Sequence, residues 1–136
     1  MMQRRREAAG SSGTVLVVDR DPTLRQLARR LLEAEGYLVL DAGDGAGAEQ
    51  IATLYVGPIH VLLVDVDVDV APTDGRALAD RLGALRPELA VLFASSRPQR
   101  DLARQGVLGA RAPLVRKPFE KSRLAARIRD ALAHPR

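Results

Sequence analysis

Four polar residues stand where short aliphatic-rich runs end: Asp19 after Thr14–Val18, Asp65 after Ile59–Val64, Ser95 after Ala90–Ala94 and Lys117 after Leu114–Arg116. Together they match the parts needed for phosphoryl transfer. A carboxylate can attack phosphorus and form an acyl phosphate. That chemistry needs a hard cation, held by one or two neighbouring carboxylates, to neutralise the phosphoryl oxygens. It also needs a cationic side chain and a hydroxyl to bind those oxygens. Taken singly, each residue could just as well end a strand or face water. All four on one sheet edge would be a site, so the surrounding elements decide the matter.

Those elements alternate along the chain. Thr14–Asp19 reads as a buried parallel strand, a continuous apolar run closed by a carboxylate. Asp21-Pro22 supplies an N-cap and a proline at the first helical position. Leu24, Leu27, Ala28, Leu31 and Leu32 then share a helical face, which Gly36 ends. Tyr37–Leu40 reads as a second strand, followed after Asp44-Gly45 by a weaker helix containing Ala48, Ile51, Ala52 and Tyr55. Ile59–Asp65 is the third strand, and a loop over Val66–Asp74 leads into a helix from Gly75 to about Leu85. Ala90–Ala94 is the fourth strand, with a short, Gly-interrupted helix from near Pro98. Leu114–Lys117 is the fifth, ended by Pro118, and Glu120 to Ala133 is the last helix, with Leu124, Ile128 and Leu132 facing inward.

Five strands alternating with five helices predict an α/β fold, a doubly wound parallel sheet covered on both faces. Right-handed crossovers leave few topologies, and 2-1-3-4-5 is the common order at this length. Ligands of such sheets bind beyond the carboxyl ends of the strands, at the switch point between strands one and three. That rule selects Asp19 and Asp65.

The 136 residues fit one domain with one core. Absence of cysteine excludes disulfides and thiolate metal sites. No apolar run approaches the roughly 20 residues that cross a bilayer. Arg4, Arg5 and Arg6 are not followed by the apolar core of a secretory signal. A cytoplasmic protein without membrane contact is expected: a disordered basic tail over 1–13, the domain over 14–133, and a C-terminal tail over 134–136. The net charge is +4, to which the tail adds three arginines against Glu7. The other basic residues read as scattered among acidic ones, and aromatics make up 3% of the chain. Nucleic-acid surfaces show a clustered basic face or stacking aromatics, so no nucleic-acid partner is expected.

The motifs Val15-Leu-Val-Val-Asp19, Leu62-Leu-Val-Asp65, Asp74-Gly75, Phe93-Ala-Ser95 and Lys117-Pro118-Phe119 resemble, in order, those of the response-regulator receiver family. The resemblance covers about residues 14 to 133, and Lys-Pro-Phe after a strand is its most specific single motif. It implies a flavodoxin-like receiver fold in which Asp65 accepts phosphate from a histidine kinase or phosphotransfer protein. It further implies magnesium at Asp19, Asp65 and the backbone carbonyl of Asp67, with Ser95 and Lys117 on the phosphoryl group. The Lys117-Pro118 peptide is expected to be cis. Within Asp65-Val-Asp67-Val-Asp69, Asp65 is preferred as acceptor. It lies thirty residues before Ser95 and fifty-two before Lys117, and choosing Asp67 would leave Asp65 buried as an unpaired carboxylate.

Three positions depart from the family pattern. Arg20 follows Asp19 where a second acid, a direct magnesium ligand, is usual. Either Arg20 folds over the pocket and pairs with Asp65, keeping its pKa low without metal, or it faces solvent and Asp67 or Asp69 replaces the ligand. The first is the expectation, with magnesium weakened or absent. The loop from Asp65 to Asp74-Gly75 is about two residues longer than usual. Leu114 replaces a switching aromatic and is read as core packing.

Three functions follow. One is a single-domain response regulator, with no output domain after Arg136, that is not an enzyme and signals to a downstream protein target. A homodimer through helix 4, strand 5 and helix 5 would suit it. The second is a phosphorylation-independent pseudo-receiver, an interaction module. The third is a haloacid-dehalogenase-type phosphatase, suggested by the Asp65-Val-Asp67 spacing but placed mid-chain instead of near the start of a larger enzyme.

Overall fold

The computed structural model describes residues 13–68 and 74–134. Residues 1–12 of the expected 1–13 tail, residues 135–136 of the expected 134–136 tail, and Asp69 lie outside those residues. Among the described residues five strands and five helices alternate: β1 Thr14–Val18, α1 Pro22–Ala34, β2 Leu38–Ala42, α2 Gly45–Leu54, β3 Val61–Asp65, α3 Asp74–Leu85, β4 Ala90–Ser95, α4 Gln99–Arg104, β5 Leu114–Arg116 and α5 Lys121–Ala133. All strand pairs are parallel, in the order β2-β1-β3-β4-β5. This is the doubly wound architecture expected from the alternation. Differences are confined to element ends: β2 begins at Leu38 instead of Tyr37, and β3 at Val61 instead of Ile59.

Every residue of β1 and of β3 is buried, as required of central strands covered on both faces. Side chains alternate between two layers. Leu16, Val18, Leu62 and Val64 pack under α2 and α3, while Val15, Val17, Val61 and Leu63 pack with Ala28 and Leu32 of α1 and with Leu124 and Ile128 of α5. Each fully buried leucine or isoleucine adds roughly 2 kcal/mol relative to exposure.

Local signals set the helix ends. The Asp21 carboxylate accepts from the Thr23 and Leu24 amides, with Pro22 opening α1. Gly36 takes φ 98° where the chain leaves that helix. α2 is short, and α3 completes its C-terminal end. Arg86 donates from Nε to the Ala52 carbonyl, from Nη2 to Tyr55 and from Nη1 to Gly57, at 2.6–2.8 Å. These include carbonyls that a helix terminus leaves without an internal partner.

β5 is only three residues long and pairs with Phe93–Ser95. Pro113 explains its start. Its carbonyl accepts from the Phe93 amide, but proline has no N–H to extend the ladder toward the Val91 carbonyl. Ala90, Val91 and Leu92 therefore have no β5 partner.

Candidate functional site

The carboxyl ends of β1, β3, β4 and β5 bring Asp19, Asp65, Ser95 and Lys117 to one edge of the sheet, beside the switch point between β1 and β3. Asp19, Asp65 and Ser95 are buried. Lys117 Nζ lies 2.7 Å from Asp19 Oδ2 and 3.5 Å from Asp65 Oδ1, so a single ammonium serves both carboxylates. The free Asp19 oxygen accepts from the Asp21 amide at 2.9 Å, and Asp65 Oδ1 accepts from the Asp67 amide at 3.3 Å. Ser95 Oγ accepts from the Arg97 amide at 3.0 Å. That bond leaves the serine O–H as a donor. The Lys117-Pro118 peptide is cis.

Burial raises the Asp65 pKa above its ordinary 3.8; Lys117 opposes the rise, and Asp19 adds to it. A depressed value was expected if Arg20 covered the pocket. Arg20 is instead exposed, and the ion pair on Asp65 comes from Lys117. Desolvation of the carboxylate therefore outweighs the pull of the Lys117 ammonium.

The end of β3 and the residues just after it are held from two sides. Gly75 packs so tightly that a Cβ there would lie 2.3 Å from the Asp65 carbonyl oxygen and 2.6 Å from Val66 Cα. Only glycine fits where α3 starts against the end of β3. On the other side, Arg97 clasps the Asp67 carboxylate through Nη2, at 2.8 and 2.9 Å, and reaches Gln105 Oε1 through Nη1 at 2.9 Å. The Asp67 carboxylate is thus paired with Arg97. The β1 end is pinned by Arg25 Nη1, which donates to the Asp19 carbonyl at 2.6 Å.

Residues 15–129 match the response regulator receiver domain. The chain belongs to the response-regulator receiver family. Among curated relatives, it is 30% identical over 127 residues to the probable transcriptional regulatory protein TcrX of Mycobacterium tuberculosis, covering 93% of this chain and 53% of that protein. It is likewise 30% identical over 122 residues to the sensor kinase CckA of Brucella abortus, covering 89% of this chain and 13% of the kinase. The chain thus spans about half, or less, of the length of these relatives. Among solved structures, the receiver domain of NtrX from Brucella abortus aligns with a TM-score of 0.73 at 27% identity, covering 88% of this chain and 98% of that one.

As a receiver, the chain is a two-component signalling module, and its motifs fall in the expected order. Family membership displaces the dehalogenase reading, whose second acid, Asp67, is here bound to Arg97. Receivers use magnesium at the acceptor aspartate, and the donor set fits that ion in reduced form. Asp19 and Asp65 already direct oxygens at one cation, Lys117 Nζ, and magnesium requires only one or two carboxylates beside its waters. No cluster of three ligating side chains exists among the described residues, because Arg20 occupies the usual position of the third. Leu114 is buried in the layer that contains Phe93, Leu102 and Leu108, in keeping with core packing.

Arg97 and Arg25 were not singled out from the sequence. Their contacts depend on how the β4–α4 loop meets the β3–α3 loop and on where α1 lies against β1. A third feature, countable in the sequence, is a basic bias toward its C-terminal part. Residues 97–134 carry ten Lys or Arg against three Asp or Glu, while residues 13–96 carry seven against thirteen. No helix among the described residues is long and apolar enough to cross a membrane.

Proposed function

We propose that this receiver accepts a phosphoryl group on Asp65 from a histidine kinase or phosphotransfer protein and signals through protein contacts. The observation that carries this reading is Lys117 Nζ shared between Asp19 and Asp65, with the Ser95 hydroxyl on the adjacent strand. An Asp65 oxygen attacks phosphorus while the bond from phosphorus to the donor nitrogen breaks, and the imidazole leaves with a proton from solvent. Lys117 and the Ser95 O–H then bind the phosphoryl oxygens. Asp19, Asp65 and the Asp67 carbonyl would hold magnesium, which supplies charge neutralisation. The ion is held more weakly than in receivers with an acid at position 20.

The folded unit in this reading is 14–133, acting in the cytoplasm on a downstream protein target. Incubation with magnesium and acetyl phosphate, followed by intact mass, should add one phosphate to the wild type and none to Asp65→Asn. One observation favours a second reading, a phosphorylation-independent pseudo-receiver: Arg20 stands where a metal-binding acid is usual. A folded wild-type protein that gains no phosphate under these conditions refutes the first reading and leaves the second.

A further inference from the structure

β3 and β4 lie side by side in parallel register, with Asp65 opposite Ala94, and each ends in the same kind of turn. At the end of β3 the Asp65 carboxylate accepts from the amide two residues on, that of Asp67, at 3.3 Å. At the end of β4 the Ser95 hydroxyl oxygen accepts from the amide two residues on, that of Arg97, at 3.0 Å. Short polar side chains close such turns on their own backbone. Here the two closing residues are also joined to each other. Arg97 Nη2 lies 2.8 and 2.9 Å from the two Asp67 carboxylate oxygens. One hydrogen-bonded chain therefore runs from the acceptor carboxylate, through both turns and the ion pair, to the Ser95 hydroxyl.

The guanidinium is itself held. Its Nη1 donates to Gln105 Oε1 at 2.9 Å, and Gln105 is the residue that caps the end of α4. A planar fork satisfies both directions at once, which the point charge of a lysine cannot. The paired side chains are 32% and 43% exposed, so the ion pair adds little to global stability. Its effect is on geometry. Asp67 is fixed at its amide and at its carboxylate, which leaves rotation about its Cα–C bond as the main freedom of its carbonyl.

That carbonyl is one of the magnesium donors in the phosphoacceptor reading, on which this inference rests. With the exposed Arg20 where an acid is usual, the ion depends more on each donor that remains. We infer that Arg97 is a positioning residue of this site, presetting the Asp67 carbonyl for magnesium and the turn that holds Ser95 before any ion arrives. Without the clasp residue 67 has to be ordered when the ion binds, a cost that preorganisation removes.

The test compares the full unphosphorylated chain with Arg97→Ala, Arg97→Lys and the exchanged pair Asp67→Arg/Arg97→Asp, each checked for fold by far-UV circular dichroism. Calorimetric titration with magnesium chloride should show Arg97→Ala binding about fivefold more weakly, the cost of ordering one residue, with Arg97→Lys in between. The exchanged pair keeps the backbone carbonyl at 67 and should recover most of the lost affinity. Amide exchange without metal should quicken at residue 67 in Arg97→Ala and slow again in the exchanged pair. With acetyl phosphate, Arg97→Ala should take up phosphate slowly at limiting magnesium and at the wild-type rate at saturating magnesium. A merely structural lesion slows uptake at every magnesium concentration. Were the exchanged pair misfolded, Gln105→Ala should weaken magnesium binding in the same direction by a smaller factor. Equal magnesium affinity in wild type and Arg97→Ala, slow uptake that saturating magnesium does not restore, or a folded exchanged pair no better than Arg97→Ala would each overturn the inference. In those cases phosphate uptake by the wild type leaves the phosphoacceptor reading standing. A wild type that takes up no phosphate overturns that reading and this inference together.

Discussion

Replacing Lys117 with methionine tests the central electrostatic claim. The substitution keeps most of the apolar stem and removes the one ammonium that lies 2.7 Å from Asp19 and 3.5 Å from Asp65. Two buried carboxylates are then left facing each other. Removing one partner of a buried ion pair costs about 3–5 kcal/mol. The side chains of Lys117 and Asp65 are each 11% exposed, so water reaches the pair and the low end, about 3 kcal/mol, applies. For a domain of this size that lowers Tm by roughly 10 °C at pH 7.5. The loss should depend on pH. Burial raises the Asp65 pKa, so the folded chain binds this proton more tightly than the unfolded chain. Stability from this group is therefore full at low pH and is lost as pH rises through the folded pKa. Lys117 opposes the rise, so its removal widens the window, and the deficit of the variant should shrink as pH falls toward 4.5. Thermal melts of both proteins from pH 4.5 to 8 measure this. A Tm unchanged at pH 7.5, or a deficit equally large at both ends, would refute the reasoning.

Other substitutions separate the parts of the site. Gly75→Ala places a methyl against the Asp65 carbonyl and Val66 Cα; neither can move like a flexible side chain, so denaturant melts should show a loss of about 3 kcal/mol. Arg20→Asp adds a third carboxylate at an exposed position, so calorimetry should show magnesium binding at least about tenfold tighter, or ~1.4 kcal/mol. Arg97→Ala releases Asp67 from a pair whose side chains are 32% and 43% exposed, so stability should fall by less than about 1 kcal/mol. Exchange of the Asp67 amide should nonetheless quicken, because the loop has lost its anchor.

Much of this molecule is legible in its sequence. The runs ending in Asp19 and Asp65 are apolar throughout because both faces of β1 and β3 are covered, and such strands announce their own ends. Ser95 and Lys117-Pro118-Phe119 also follow at strand ends, so the edge carrying the site is assembled from strand order alone. The direction of Arg20 is not. A long side chain at a strand end can turn inward or outward with equal local geometry; in the fold Arg20 is exposed, and Lys117, from the end of β5, lies against Asp65. Arg97 was invisible for a related reason: it joins Asp67 and Gln105, which only loop packing brings together.

The way α2 ends has a consequence for how the protein folds. Its closing carbonyls are satisfied by Arg86, a residue that follows α3 and lies over thirty positions further along. Alone, α2 is a short helix with two glycines, below the length at which isolated helices persist in water. It therefore should not form ahead of α3 but cooperatively with it, the two behaving as one unit of local unfolding. Native-state exchange would show this directly, with the amides of the last turn of α2 and of α3 opening together and with the same free energy.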